Sequence, residues 1–141
     1  MMNKDKSSII TSIFKRKGGE GKYTKILKDH NYEQYSELLL SYLERNEKGL
    51  IIYYLNSSNW FILTNQRLLI NNEKSFNVIK NSNIKKVNLA MEEEFRDGIR
   101  DKKDFTRLLL TDHEDKNQLL KMEKGQSYEG FYQVLHFLST Q

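Results

Sequence analysis

The chain has 141 residues and no cysteine, which excludes a disulfide framework, a thiolate metal centre and a thiol nucleophile. At this length it can bury a sizeable core as one domain, and no apolar run approaches the ~20 residues of a membrane span. The net charge of +4 is unevenly spread: residues 1–29 hold eight Lys/Arg against three Asp/Glu (+5), and residues 30–141 hold fifteen against sixteen (−1). The basic character therefore belongs to the N-terminal stretch, and nucleic acid is not an expected partner of the body.

Residues 1–29 read as a basic, partly amphipathic arm. Ile9, Ile10, Ile13 and Phe14 fall near helical spacing and are followed by Lys15, Arg16 and Lys17. Gly18, Gly19 and Gly21 predict a flexible break. Residues 9–14 are too short for the apolar core of a secretory signal, so a cytoplasmic protein is expected.

Residues 30–141 read as a single domain. Asn31 and Gln34 resemble a capping box, and Tyr32, Tyr35, Leu38, Leu39, Tyr42 and Leu43 form one apolar stripe, which predicts a helix over 31–45. Seven strand candidates follow between about 49 and 122: 49–55, 60–64, 67–70, 75–79, 84–91, 105–111 and 118–122. Asn65-Gln66 is the turn of a central hairpin, a place where Asn would tolerate a positive φ. Residues 92–104 are strongly charged, with a turn at Asp97-Gly98. A last helix over about 127–138 places Tyr128, Phe131, Leu135 and Leu138 on one stripe, with Ser127 as its cap. Short loops leave no room for crossovers, so the strands pair antiparallel. The predicted class is mainly β with helices (α+β).

The step Leu63-Thr64-Asn65-Gln66-Arg67-Leu68-Leu69-Ile70 resembles the second hairpin of bacterial PH-like and GRAM domains. Asn83-Ile84-Lys85-Lys86-Val87 is similar to the entry of their fifth strand. The resemblance covers about residues 47–139. It implies a PH-like antiparallel barrel or sandwich of about seven strands capped by the C-terminal helix, with Leu63, Thr64, Arg67 and Leu68 as fold-motif positions. It also implies a binding scaffold and, for some members, self-association. The phosphoinositide pocket of the family is not expected. The loops at its open end would be 56–59, 71–74 and 112–116, where Lys74 and Lys116 stand against Glu73, Asp112, Glu114 and Asp115, a net −2.

Catalytic and cofactor fingerprints are missing. Gly21-Lys22 lacks the glycine five positions earlier and the hydroxyl that a P-loop needs, because Tyr23 follows. His30, His113 and His136 are scattered, and the acids of 92–104 lack the order of a calcium loop. Tyr53, Tyr54 and Trp60 have no basic groove beside them, so they read as packing residues. No enzyme, cofactor or metal is expected. The expected function is a non-enzymatic binding module for protein interaction or self-assembly. The alternative is a peripheral membrane module at the inner membrane face, with Ile10, Phe14, Lys15, Arg16, Lys17 and Lys22 touching anionic lipid or, instead, a protein partner.

Overall fold

A computed structural model describes residues 5–141. Two antiparallel sheets make up the β-structure. The first holds β1 (Thr24–Ile26), β2 (Gly49–Asn56), β3 (Asn59–Thr64), β4 (Arg67–Asn72) and β5 (Ser75–Lys80), in that spatial order. The second holds β6 (Ile84–Leu89), β7 (Arg107–Asp112) and β8 (Asn117–Lys121). The helices are α1 (Ser7–Lys17), α2 (Asp29–Tyr32), α3 (Ser36–Tyr42), α4 (Met91–Arg96) and α5 (Gln126–Ser139), with short 3-10 turns between some of them. The fold is α+β as expected, but the sheets remain separate and no barrel closes.

The continuous apolar run of β2 follows from its burial on both faces. Ile51 and Tyr53 join Phe61, Leu63, Leu68 and Ile70 in the main core, whereas Ile52 joins Trp60, Ile62 and Leu69 in a second, outer cluster. Successive side chains of a strand point to opposite faces, so a sheet covered on both sides needs apolar residues at every position. The main core is completed by Leu108 and Leu110 of β7 and by Phe131, Val134, Leu135 and Leu138 of α5. Leu39 and Leu27 help cover the outer face.

The expected arm is not a separate unit of packing. Residues 1–4 of it lie outside the described residues. Of the rest, α1 buries Ile10, Ile13 and Phe14 in the main core, and β1 pairs with β2 through Thr24↔Tyr53 and Ile26↔Ile51. The apolar stripe of α1 needed a partner, and α5 supplies it. Gly18 and Gly130 permit the close approach: a Cβ on Gly18 would overlap the Gln126 carbonyl, and one on Gly130 would sit 3.1 Å from the Phe14 ring. The expected flexible break is thus a packed junction, and β1 is a strand that the sequence reading missed.

The helix expected over 31–45 is broken into α2, a 3-10 turn (Glu33–Tyr35) and α3. Asn31 does not open it. The Asn31 side chain accepts a bond from Lys28 N at 2.8 Å, one turn earlier than expected, and donates to Ile26 O. Nor does Ser127 cap α5: it lies inside the first turn and donates to Gly19 O at 2.9 Å. The Asn65-Gln66 turn needs no left-handed residue, since the one non-glycine residue with positive φ among those described is Asp115. Thr64 Oγ1 closes the turn by accepting from Gln66 N and Arg67 N at 3.0 and 2.9 Å. Gly98 does take a left-handed φ of 81°, as the expected Asp97-Gly98 turn requires. Among the described residues, no helix is long and apolar enough to cross a membrane.

Candidate functional site: an aromatic groove on the outer sheet face

The β2–β3 hairpin sets Tyr54 opposite Trp60, both on the outer face. The turn before α3 lays Tyr35 beside Tyr54, with ring centroids 6.2 Å apart. At the other end of α3, Tyr42 meets Trp60 edge-on at 5.0 Å. Tyr23, just ahead of β1, closes the remaining side, with Lys22 Nζ 5.2 Å from its ring centroid. These residues line a groove of about 640 Å³. The line of rings runs on past the groove to Phe76 of β5, 5.2 Å from Tyr42 and 6.2 Å from Trp60.

Gln34, Glu37 and Ser41 give the groove polar edges. Burial, then the charge of Glu20 and the neighbouring Tyr54, pushes the Tyr35 hydroxyl above its usual value, so it stays a neutral donor and acceptor. The arrangement offers flat aromatic faces, hydrogen-bonding groups at the rim and one cation. Among the described residues, no three His, Cys, Asp or Glu side chains gather as a metal site would require.

A buried ion pair holds α3 in register with the sheet. The Glu47 side chain is fully buried and takes Arg67 Nε at 2.8 Å, Arg67 Nη2 at 2.9 Å and Thr64 Oγ1 at 2.6 Å. Arg67 Nη2 also donates to Tyr42 O at 2.8 Å, satisfying a carbonyl at the end of α3. Burial by itself would push the Glu47 carboxyl up. The hydrogen bonds from Arg67 and Thr64, and from Glu44 N, outweigh it and hold the carboxyl below its usual value. The same bond to Glu47 raises the Arg67 guanidinium.

Thr64 and Arg67 therefore meet at the turn, where the motif placed them, while Leu63 and Leu68 lie fully buried in the main core. Their essential partner, Glu47, escaped sequence reading because it sits in a polar stretch that looks solvated. A second such pair was missed in the charged segment 92–104. Buried Glu94 accepts from Thr106 N, Arg107 N and Arg107 Nη1, and Asp97 pairs with the same guanidinium. Most of that segment is exposed and laced by ion pairs such as Arg96–Glu92 and Lys103–Asp101, while Glu94 of α4 pins it to β7.

The expected contact residues are divided. Ile10 and Phe14 are buried between α1 and α5, whereas Lys15, Arg16, Lys17 and Lys22 remain exposed. Lys22 alone reaches the groove. Lys15 lies beside Lys28, and the like charge of that second ammonium disfavours a proton on Lys15 and lowers its pKa. The loops 56–59 and 71–74 are joined by Asn71 Nδ2 donating to Ser57 O. The third expected loop belongs to the other sheet, where Asp115 pairs with Lys85 at 2.6 Å. The chain matches no family model, no curated protein and no solved structure.

Proposed function

We propose that the chain is a non-enzymatic binding module with a PH-like arrangement, and that the aromatic groove beside α3, on the outer side of its five-stranded sheet, engages a protein partner. The observation that carries this reading is the exposed pair Tyr42 and Phe76, continued by the partly open Tyr35 and Tyr54 and seated on the buried Trp60, on a sheet packed from behind. Aromatic residues are enriched among the few positions that dominate the energy of protein interfaces, because each buries a large area when a partner covers it. The PH-like part of the proposal is supported by the order of elements: a four-stranded meander β2–β5, a three-stranded meander β6–β8 and a closing helix α5.

The peripheral membrane alternative retains one supporting observation, the exposed Lys15, Arg16 and Lys17 at the end of α1. It loses its apolar anchor, since Ile10 and Phe14 are occupied in the core.

Photo-crosslinking tests the reading. Benzoyl-phenylalanine in place of Tyr42 in the full chain, irradiated in cells that carry the native protein, should give discrete adducts with a protein. The same group at His136 should not. Absence of Tyr42 adducts, together with salt-sensitive sedimentation on anionic vesicles, would favour the membrane alternative.

A further inference from the structure

We propose that the free edge of β5 accepts an extended peptide, flanked by acidic residues, as a sixth strand of the first sheet. The inference rests on the binding-module reading and names the class of partner. β5 is the outermost strand, and its six residues pair with β4 in an unbroken register from Asn72↔Ser75 to Arg67↔Lys80.

The phase of this ladder decides which backbone groups face outward. Asn81 N donates to Gln66 O at 2.9 Å, and the N and O of Arg67 both turn to Thr64 Oγ1 on the β3 side, so Gln66–Asn81 is in the bonded phase of the ladder and Arg67↔Lys80 is not. In an antiparallel ladder such pairs alternate. Leu68↔Ile79, Ile70↔Asn77 and Asn72↔Ser75 are therefore bonded as well, and the N–H and C=O of Phe76, Val78 and Lys80 point away from the sheet. The side chains of these same three residues share the outer face. Phe76 and Val78 are 43% and 44% exposed, and Phe76 continues the aromatic line of the groove. A strand added here would meet open hydrogen-bonding groups and open apolar side chains in one phase.

The opposite edge of the sheet is spent. On β1 the outward groups belong to Thr24 and Ile26, because Tyr54 N donates to Tyr23 O and Leu27 N to Leu50 O. Ile26 N is taken by Glu20 at 2.9 Å, and Thr24 O by Gly21 N at 3.0 Å. Glu123 takes Lys22 N, Tyr23 N and the Thr24 hydroxyl. One edge is closed by carboxylates of the chain itself, and among the described residues the other carries no such closure.

Charge identifies the occupant. Lys74 and Lys80 flank the open stretch and enter none of the ion pairs among the described residues. In antiparallel pairing with a second copy, opposite residues share a face. Phe76 then lies opposite Val78 or opposite Phe76, and either register brings Lys80 toward Lys74 in the turn at the start of the partner's β5. Both arrangements bring like charges together, which disfavours the self-pair. Lysine at an edge is a common guard against such pairing. The same two lysines favour a strand with an acid at each end, of the pattern acid-x-apolar-x-apolar-x-acid. Attraction to one partner and repulsion of another together make specificity.

The probe is a labelled Glu-Thr-Val-Thr-Val-Thr-Glu peptide, blocked at both ends and titrated by fluorescence polarisation with the full chain. Saturable binding is expected, weakened as salt rises from about 50 to about 500 mM. The double variant Lys74→Glu, Lys80→Glu should lose about tenfold and should instead prefer the peptide with Lys at both ends. N-methylation of the valines, whose N–H groups would face β5, should abolish binding, whereas N-methylation of the threonines should not. Val78→Pro, checked for its native circular dichroism, should also abolish it, because the outward N–H is lost. No saturable binding, equal binding of the two N-methylated peptides, or indifference to the lysine reversal would each overturn the proposal. So would a dimeric mass that falls to the monomer in Val78→Pro. Tyr42 crosslinks that survive Val78→Pro would leave the binding-module reading standing and remove strand addition alone.

Discussion

Replacing Arg67 by Ala tests whether the ion pair between Glu47 and Arg67 holds α3 on the sheet. The substitution removes two bonds to the Glu47 carboxylate and one to Tyr42 O. It leaves the fully buried Glu47 side chain with Thr64 and Glu44 N as its hydrogen-bond donors. Breaking a buried pair from one side costs ~3–5 kcal/mol, and the Arg67 side chain is 20% exposed, so the lower end, about 3 kcal/mol, is expected. An unfolding entropy of ~2.1 cal/mol/K per residue gives about 0.3 kcal/mol/K for this chain, hence a Tm lower by about 10 °C. Urea unfolding followed by the fluorescence of Trp60, the single tryptophan, measures it. Arg67→Met combined with Glu47→Leu should cost less than Arg67→Ala, because no carboxylate is then left buried without its cation. The pH dependence follows from the depressed Glu47 carboxyl. Its contribution is present above the ordinary carboxylate value of ~4.3 and is lost as pH falls through the lower folded value. Native and Arg67→Ala proteins should therefore converge in stability as pH drops below about 4. A loss under ~0.5 kcal/mol at pH 7, the range of an ordinary surface change, with parallel acid limbs, would refute the reasoning.

Phe14→Ala should destabilise the chain by ~3–5 kcal/mol, as for any buried aromatic; an unchanged urea midpoint would mean that α1 is not part of the core. Gly18→Ala should lower stability clearly, since its Cβ would lie 2.8 Å from Gly130 N as well as against the Gln126 carbonyl; a Tm equal to the native one would sink the close packing of α1 on α5. Leu135→Ala should cost ~2–5 kcal/mol, whereas exposed His136→Ala should stay within ~0.5 kcal/mol; equal denaturation midpoints would put the wrong face of α5 in the core.

Much of the fold was legible because it is periodic. Alternation and turn residues marked β2 through β8 to within a few positions, and the stripe of Phe131, Leu135 and Leu138 marked α5 and its buried face. Local pattern carries such information, since a strand or an amphipathic helix must repeat its apolar positions at its own period. β1 has three residues and no period to show, and it exists because β2 offers it an edge. The same limit applies to α1. Ile10, Ile13 and Phe14 declared an apolar face, but the sequence could not say whether lipid, a partner or α5 would cover it; two glycines far apart in the chain, Gly18 and Gly130, decided for α5.

Charged residues were the hardest to read. Glu47 and Glu94 stand in polar stretches like many solvated acids, and only the folded chain delivers Arg67 and Arg107 to them. The groove likewise collects Tyr23, Tyr35, Tyr42, Tyr54 and Trp60 from three separate segments. The sequence by itself determined the class of fold, the buried face of α5 and the Thr64–Arg67 turn, because these depend on neighbours within a few residues. The tertiary structure decided which strand edge is closed and which is open, which acids are buried and where the aromatic rings converge. Those properties depend on contacts between residues up to about a hundred positions apart, such as Glu123 on Lys22 and Tyr23, and no local period encodes them.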